Sequence, residues 1–242
     1  MRQTEPNPKL ERVRYELRST GVKADEQNRL RSGIHSRGYL PHVKREGASY
    51  FVTFRLADSL PKEVFVKFMA ERAERLRQLE KDRTRLAGKP GAIKDTEESI
   101  DLDYKRKVER YLDTGCGDCV LRRSELAGLI AETFRFFENQ RYRLDAWVVM
   151  PNHVHAVLWP MPGFMVGKIV KTWKQYTAVR ANRILERVGT SFWQPESFDH
   201  WIRDDQEHAR CGGYVIRNPV VAGLCKTPED WKWSSAWSGW RT

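Results

Sequence analysis

The chain has 242 residues, 40% of them hydrophobic and 31% charged, with a formal net charge of +11. That apolar share and length support one sizeable core, or one core with long insertions, and exclude a disordered chain. No apolar run reaches the ~18 residues of a membrane span and no apolar signal core opens the chain, so a cytoplasmic protein without membrane contact is expected, and the basic surplus favours a nucleic acid partner over a merely basic surface.

In chain order, residues 1–46 hold eleven Lys and Arg against six Asp and Glu. They read as an irregular or partly ordered basic arm, either following a phosphate backbone or simply solvated. Tyr50 to Leu56 (YFVTFRL) is rich in β-branched and aromatic residues and predicts the first strand. Pro61 can open a helix, and Val64, Phe65, Phe68, Met69, Ala73, Leu76 and Leu79 keep helical spacing to about residue 86. Gly88, Pro90 and Gly91 break it.

Residues 92–113 are highly charged with sparse apolar anchors (Ile100, Tyr104, Val108, Tyr111) and predict a part-helical surface insertion. A CGDC turn follows, with Cys116 and Cys119. It reads as a zinc or redox pair, or as a Gly-rich turn with two reduced thiols; Cys211 and Cys225 are too far apart to supply a second CxxC. Ser124 can cap a helix over 124–139, with Leu126, Leu129, Ile130, Phe134 and Phe137 as its stripe.

Two strands come next, 142–149 and 153–159, joined by the tight turn Met150–Pro151–Asn152. A helix over 165–188 follows, with Val166, Ile169, Val170, Trp173, Thr177, Ala181, Ile184 and Val188 buried. Ser191 to Gln194 predicts a last short strand, and a helix is expected near 204–217. Trp231, Trp233, Trp237 and Trp240 crowd the tail, as a clasp on the core or as platforms for bases.

The order β–α–β–β–α–β predicts an α+β protein. Its expected form is a ferredoxin-like, RRM-like antiparallel sheet with helices on one face, plus insertions and N- and C-terminal extensions. The expected organisation is a basic arm over 1–46, a main domain over 47–200 with a surface insertion at about 90–115, and a helix with a Trp-rich tail over 201–242.

The chemistry centres on His153 and His155. Two apart on a strand, both imidazoles point the same way, which makes half of a divalent-metal site or an incidental pair. Tyr176 lies at the edge of the buried stripe of the long helix, with Arg180 and Arg183 four and seven residues on. A phenol ionises near pH 10, so nearby cations would help it attack a phosphate; the plain alternative is a surface tyrosine on a basic helix.

The stretch DAWVVMPNHVHAVLWP closely resembles the HUH segment of the REP-associated tyrosine transposases, relatives of the small insertion-sequence single-tyrosine transposases. TWKQYTAVRANRI looks like their catalytic-tyrosine helix. Four further stretches match in order: GYLPHVKREGASYFVTFRLADSLP, YLDTGCGDCVLRRSELA, FWQPESFDHWIRD and YVIRNPVVAGL. The resemblance covers about 38–225.

The resemblance implies that His153 and His155 bind Mg²⁺ or Mn²⁺ and that Tyr176 attacks single-stranded DNA, leaving a 5′-phosphotyrosine and a free 3′-OH. Arg180, Arg183, Lys174, Lys171 and Asn152 are the implied DNA contacts. The implied substrates are hairpin-forming (REP-like) repeats, and the implied state is a monomer or a homodimer. Relatives often draw a third metal ligand, a glutamine, from four residues after the nucleophile. Here that position is Arg180, which cannot ligate a metal. Glu196, Asp199, His200 or water are then the candidates. Two rival readings use the same residues: a non-catalytic single-strand binding protein, and a metal-dependent nuclease in which water attacks.

Overall fold

The computed structural model describes residues 33–37, 40–44, 47–86 and 92–240. Most of the basic arm lies outside these residues. Within it, β1 (Gly33–Arg37) and β2 (Leu40–Lys44) form an antiparallel hairpin, with Gly33 opposite Lys44.

The main sheet has four antiparallel strands: β3 (Tyr50–Arg55), β4 (Tyr142–Val149), β5 (His153–Pro160) and β6 (Phe198–Trp201). Their order is β4-β5-β3-β6. The first and third strands of the β–α–β–β–α–β run therefore sit side by side at the centre, the split βαβ arrangement expected from the sequence.

The two crossover helices, α3 (Ser124–Phe136) and α4 (Val166–Ile184), cover one face. Leu126, Ala127, Ile130 and Phe134 of α3 and Val166, Ile169, Val170 and Trp173 of α4 recur every three or four residues. They pack on Val52, Phe54, Val154, Ala156 and Leu158, the strand residues of the same parity. A polar relay locks this core: Trp173 Nε1 donates to the Tyr142 hydroxyl at 2.9 Å, which donates to the Phe134 carbonyl at 2.8 Å.

The opposite face is covered too. The helix α5 (Asp205–Val221) lies against β4 and β5. Val215 packs there with Phe51, Ala146, Val148, Met150, Val157 and Ile202. The two crossover helices share one face as expected, and α5 belongs to the expected C-terminal extension. Residues 146–149 of β4 and 153–158 of β5 are buried whichever way their side chains point, so the α5 side of the sheet needs a cover of its own.

Three boundaries differ from expectation. The last strand is Phe198–Trp201 rather than Ser191–Gln194, where Trp193 makes only an isolated bridge to Leu56. The helix α4 ends at Ile184 rather than 188; its cap residue Leu185 bonds back to Ala181, and Glu186 turns to φ 55. Ser124 is the first helical residue of α3, Arg123 holds the cap position without a side-chain bond, and the helix stops at Phe136 rather than 139.

The tail acts as a clasp along β4. Val149 N donates to the Trp233 carbonyl at 2.8 Å, Ser235 N to the Trp147 carbonyl at 2.9 Å, and Trp231 Nε1 to the Val149 carbonyl at 3.0 Å. Trp233 and Trp240 pack on the core beside α3 and α4.

The chain divides into two compact units. The first comprises the residues up to Ala57 together with Val120 onward; the second is Asp58–Cys119. In the second, α1 (Lys62–Leu86) and α2 (Ala92–Asp113) pair through Arg72–Asp101, Arg75–Asp103 and Glu71–Lys107 ion pairs over buried Leu79, Ile100, Tyr104, Val108 and Leu112. The stretch expected to be part helical is one long helix. The CGDC turn closes this unit. Gly117 holds φ +87, and a Cβ there would meet Asp58 atoms at 2.9 Å, while Asp118 N donates to Asp58 Oδ2 at 2.7 Å. The thiols are reduced; Cys119 Sγ donates to the Gly115 carbonyl and Tyr111 to Cys116 Sγ.

Candidate metal and nucleophile site

The strand period sends His153, His155 and Val157 of β5 to the α5 side of the sheet. In register, His155 lies between Thr53 of β3 and Val148 of β4, and His153 lies opposite Arg55. The two imidazole rings are 4.7 Å apart between centroids and inclined at 77°. Both are buried, at 1% and 0% exposure.

Each ring is anchored through one nitrogen. Asn152 Oδ1 lies 2.7 Å from His153 Nδ1, and Thr53 Oγ1 lies 2.7 Å from His155 Nδ1. The other nitrogen of each, Nε2, is buried without a hydrogen-bond partner. Burial, reinforced by the Arg55 charge, pushes the His153 pKa down to about 3; burial and the neighbouring His153 push that of His155 well below its ordinary value. Both rings are therefore neutral at neutral pH, the state in which an imidazole ligates a metal.

The tyrosine beside this pair is Tyr214, on α5. Its ring stands edge-on to His155, with centroids 5.3 Å apart at 71°, and 5.9 Å from Phe51. Phe51 itself stacks on His155 at 5.4 Å. One helical turn beyond Tyr214, on the same side of the helix, is Asn218, 2% exposed and with an Oδ1 that has no hydrogen-bond partner.

Side-chain ties fix α5 over the sheet. Asp204 caps its N-terminus, accepting from Glu207 N at 2.7 Å. Glu207 reaches back to His200 Nε2 of β6 at 2.8 Å and accepts from Arg203 N at 2.8 Å. His208 meets Asp145 of β4 at 3.0 Å.

Tyr176, expected beside the histidines, is not brought to them. It belongs to the core under α4, with Val154 and Ala156, on the other side of the sheet. The whole helix α4 goes with it, so Lys171, Arg180 and Arg183 project from that side as well. Lys174 is committed to a loop: its Nζ donates to the carbonyls of Gln194 at 2.7 Å, Pro195 at 2.8 Å and Glu196 at 3.3 Å. Burial, with the Arg55 charge adding to it, pulls its pKa down to about 8. Asn152, expected to touch DNA, is 1% exposed and turned to His153.

The alternative third ligands are also elsewhere. Asp199 pairs in register with Val52, which puts its side chain on the α4 face. His200 shares the histidine face but is held by Glu207. Glu196 precedes β6, in the loop that Lys174 ties down. Among the described residues no three His, Cys, Asp or Glu side chains converge as a metal cluster, and any third protein ligand from these residues would be of another type. An amide oxygen such as that of Asn218 is one.

The sequence reading missed Tyr214, Asn218, Thr53 and Arg55. A signal for the first two was present: Tyr214 opens the stretch YVIRNPVVAGL, and Asn218 stands four residues after it. Arg180, four after Tyr176, cannot ligate.

Residues 122–211 match the family model described as "Transposase IS200 like". A REP-associated tyrosine transposase of Escherichia coli K12 is 28% identical over 100 residues, which are 40% of this chain and 56% of that protein; the match thus spans about half of the relative's length. Among solved structures, a REP-associated tyrosine transposase bound to a REP hairpin superposes with a TM-score of 0.44 at 17% identity, over 83% of this chain and 81% of that one. A transposase-like protein from Deinococcus radiodurans R1 gives 0.28 at 16%, over 75% and 94%. The family resemblance carried by the sequence motifs is borne out by the family-model match and the Escherichia coli relative. Among the described residues no helix is long and apolar enough to cross a membrane.

Proposed function

With the chain taken as a relative of the IS200-like and REP-associated tyrosine transposases, we propose that it cleaves and rejoins single-stranded DNA, and that Tyr214, not Tyr176, is the nucleophile. One observation carries this reading: a half-buried tyrosine stands against a neutral histidine pair whose two Nε2 atoms, with Asn218 Oδ1 on the same helix as the tyrosine, are buried polar atoms left without partners. Buried polar atoms in a folded protein are nearly always satisfied, so the orphaned Nε2 atoms of two adjacent imidazoles, with a third orphan on the helix that carries the tyrosine, call for a ligand that accepts lone pairs.

The residues present fit a divalent cation. His153 and His155 would hold it through Nε2 and Asn218 through Oδ1, two nitrogens and an amide oxygen, a donor set compatible with Mn²⁺ or Mg²⁺. Bound there, the ion would act as a Lewis acid on a phosphodiester oxygen.

The protein's own groups do the rest. The Tyr214 hydroxyl attacks phosphorus, the new phenolic P–O bond replaces the bond to the 3′ oxygen, and the proton lost by the phenol is balanced by the one gained at the departing 3′ oxygen. The products are a 5′-phosphotyrosine and a free 3′-OH. Since the phosphodiester's energy is retained, a second 3′-OH can reverse the step and join strands. Arg55, opposite His153 on the same face, is placed to offset phosphate charge. Hairpin-forming repeats are the proposed substrate class, as the family resemblance implies.

The test is a denaturing gel of the protein incubated with Mn²⁺ and single-stranded hairpin DNA. Wild type and Tyr176→Phe are expected to give a covalent adduct, and Tyr214→Phe none. An adduct that survives Tyr214→Phe and disappears in Tyr176→Phe would overturn the assignment. Cleavage without any adduct would establish a hydrolytic nuclease instead, and binding without cleavage a recognition module.

A further inference from the structure

We propose that Asn152 and Thr53 are positioning residues that select which nitrogen of each site histidine faces the metal. The inference rests on the metal-site reading above and adds to it how this chain prepares the two ligands.

A neutral imidazole carries its proton on one nitrogen and a lone pair on the other, and only the lone-pair nitrogen can ligate. For His153 the choice is forced by its neighbour. The carboxamide oxygen of Asn152, 2.7 Å from Nδ1, can accept but not donate, so Nδ1 bears the proton and Nε2 the lone pair. The opposite tautomer would set two lone pairs against each other at Nδ1. It would also aim a buried N–H at the site, where Nε2 finds no acceptor.

Asn152 is itself held. It is 1% exposed, its carbonyl accepts from Leu56 N at 2.9 Å, and the preceding carbonyl of Pro151 accepts from Leu121 N at 3.1 Å. The MPN turn thereby fixes the carboxamide as well as the strand that follows. A buried Asn with these ties cannot reach DNA, and its role is inward.

For His155 the partner comes from the next strand. Thr53 is the cross-strand neighbour of His155, so its side chain lies on the same face, and its hydroxyl sits 2.7 Å from Nδ1. With the Thr53 oxygen accepting from Nδ1–H, His155 presents the same nitrogen as His153. Phe51, two residues earlier on that strand and therefore on that face, stacks on the ring and limits its rotation. Both imidazoles are thus anchored at Nδ1 before any ion arrives, and with Nδ1 protonated each presents its Nε2 lone pair for ligation. Groups that orient ligating histidines in this way typically account for roughly 10- to 100-fold in metal affinity.

The experiment measures Mn²⁺ binding to the full chain without DNA, by calorimetry, and in parallel the Mn²⁺ dependence of covalent adduct formation. Thr53→Val and Asn152→Ala are each expected to weaken Mn²⁺ binding by roughly 10- to 100-fold. Thr53→Ser, which keeps the hydroxyl, and Asn152→Asp, which keeps the acceptor oxygen, are expected to restore it. Adduct formation in the two weakened variants should require more Mn²⁺ yet reach the wild-type plateau. Unchanged affinity in Thr53→Val and Asn152→Ala, or a loss that the Ser and Asp variants do not restore, overturns the inference and leaves the metal site standing. A wild-type chain that binds no Mn²⁺ while still forming the Tyr214 adduct overturns the metal site and this inference together.

Discussion

At the scale of single residues, the site histidines and Asp113 show opposite consequences of burial. The imidazoles lose charge and gain a use for the neutral form. Asp113, near the end of α2, gains nothing comparable: its side chain is partly buried, Oδ1 has no hydrogen-bond partner, and burial raises its pKa from 3.8 to about 6. An acid whose pKa is raised by folding is held more tightly to its proton in the folded state than in the unfolded one. Its penalty is absent below about pH 4, grows as pH rises from there to about 6, and is constant above. Replacement by Asn should therefore stabilise the helical hairpin at pH 7 by about 1 kcal/mol, the full shift being discounted for the exposed part of the side chain, and should give no gain at pH 4. Urea unfolding at the two pH values checks this; equal gains at both would show that charge is not the cause.

At the scale of elements, α5 carries the proposed chemistry, because it brings Tyr214 against His155 of β5 and holds Asn218 one turn further on. Its own apolar contacts are few, and it holds its place partly by polar ties to both edge strands: Glu207 with His200 on β6, and His208 with Asp145 on β4. A tie of this kind contributes on the order of 1 kcal/mol. Glu207→Ala combined with Asp145→Ala should accordingly speed amide hydrogen exchange throughout α5 while leaving α3 and α4, buried on the far face, unchanged. Uniform acceleration in all three helices would show that the ties support the fold as a whole rather than α5. The same element marks where sequence reading stopped. Helical spacing reveals α4 and α5 equally well, and both carry a tyrosine and basic residues. Spacing says which stripe of each helix is buried, but not against which side of the sheet.

At the scale of the whole molecule, Asp58–Cys119 is an excursion from a sheet domain that closes without it. Both core clusters of the first unit are built from residues 48–56 and from Val120 onward. Within the sheet domain, the flanking residues Leu56 and Leu121 are tied to the turn that precedes the histidines, their N–H groups bonding to the adjacent carbonyls of Asn152 and Pro151 at 2.9 Å and 3.1 Å. Its own ends meet through Asp58 and Asp118. Replacing Asp58–Cys119 by a short Gly-Ser linker should leave a folded domain with one cooperative melting transition and an unchanged requirement for Tyr214 in adduct formation. Loss of that transition would show that the sheet domain depends on the excursion.

The sequence by itself determined the order of elements, the split βαβ sheet and the histidine pair, because these follow from local periods. Two residues apart on a strand means one face, and apolar residues every three or four positions mean a helix with one buried stripe. The resemblance added a likeness to a transposase family and the chemistry proposed from it. Only the tertiary structure decided which tyrosine stands beside the histidines, since α4 and α5 pack on opposite faces and no local period encodes that choice. It likewise decided that Asn152 and Thr53 serve the imidazoles, for a cross-strand neighbour exists only once the register of two strands distant in sequence is set.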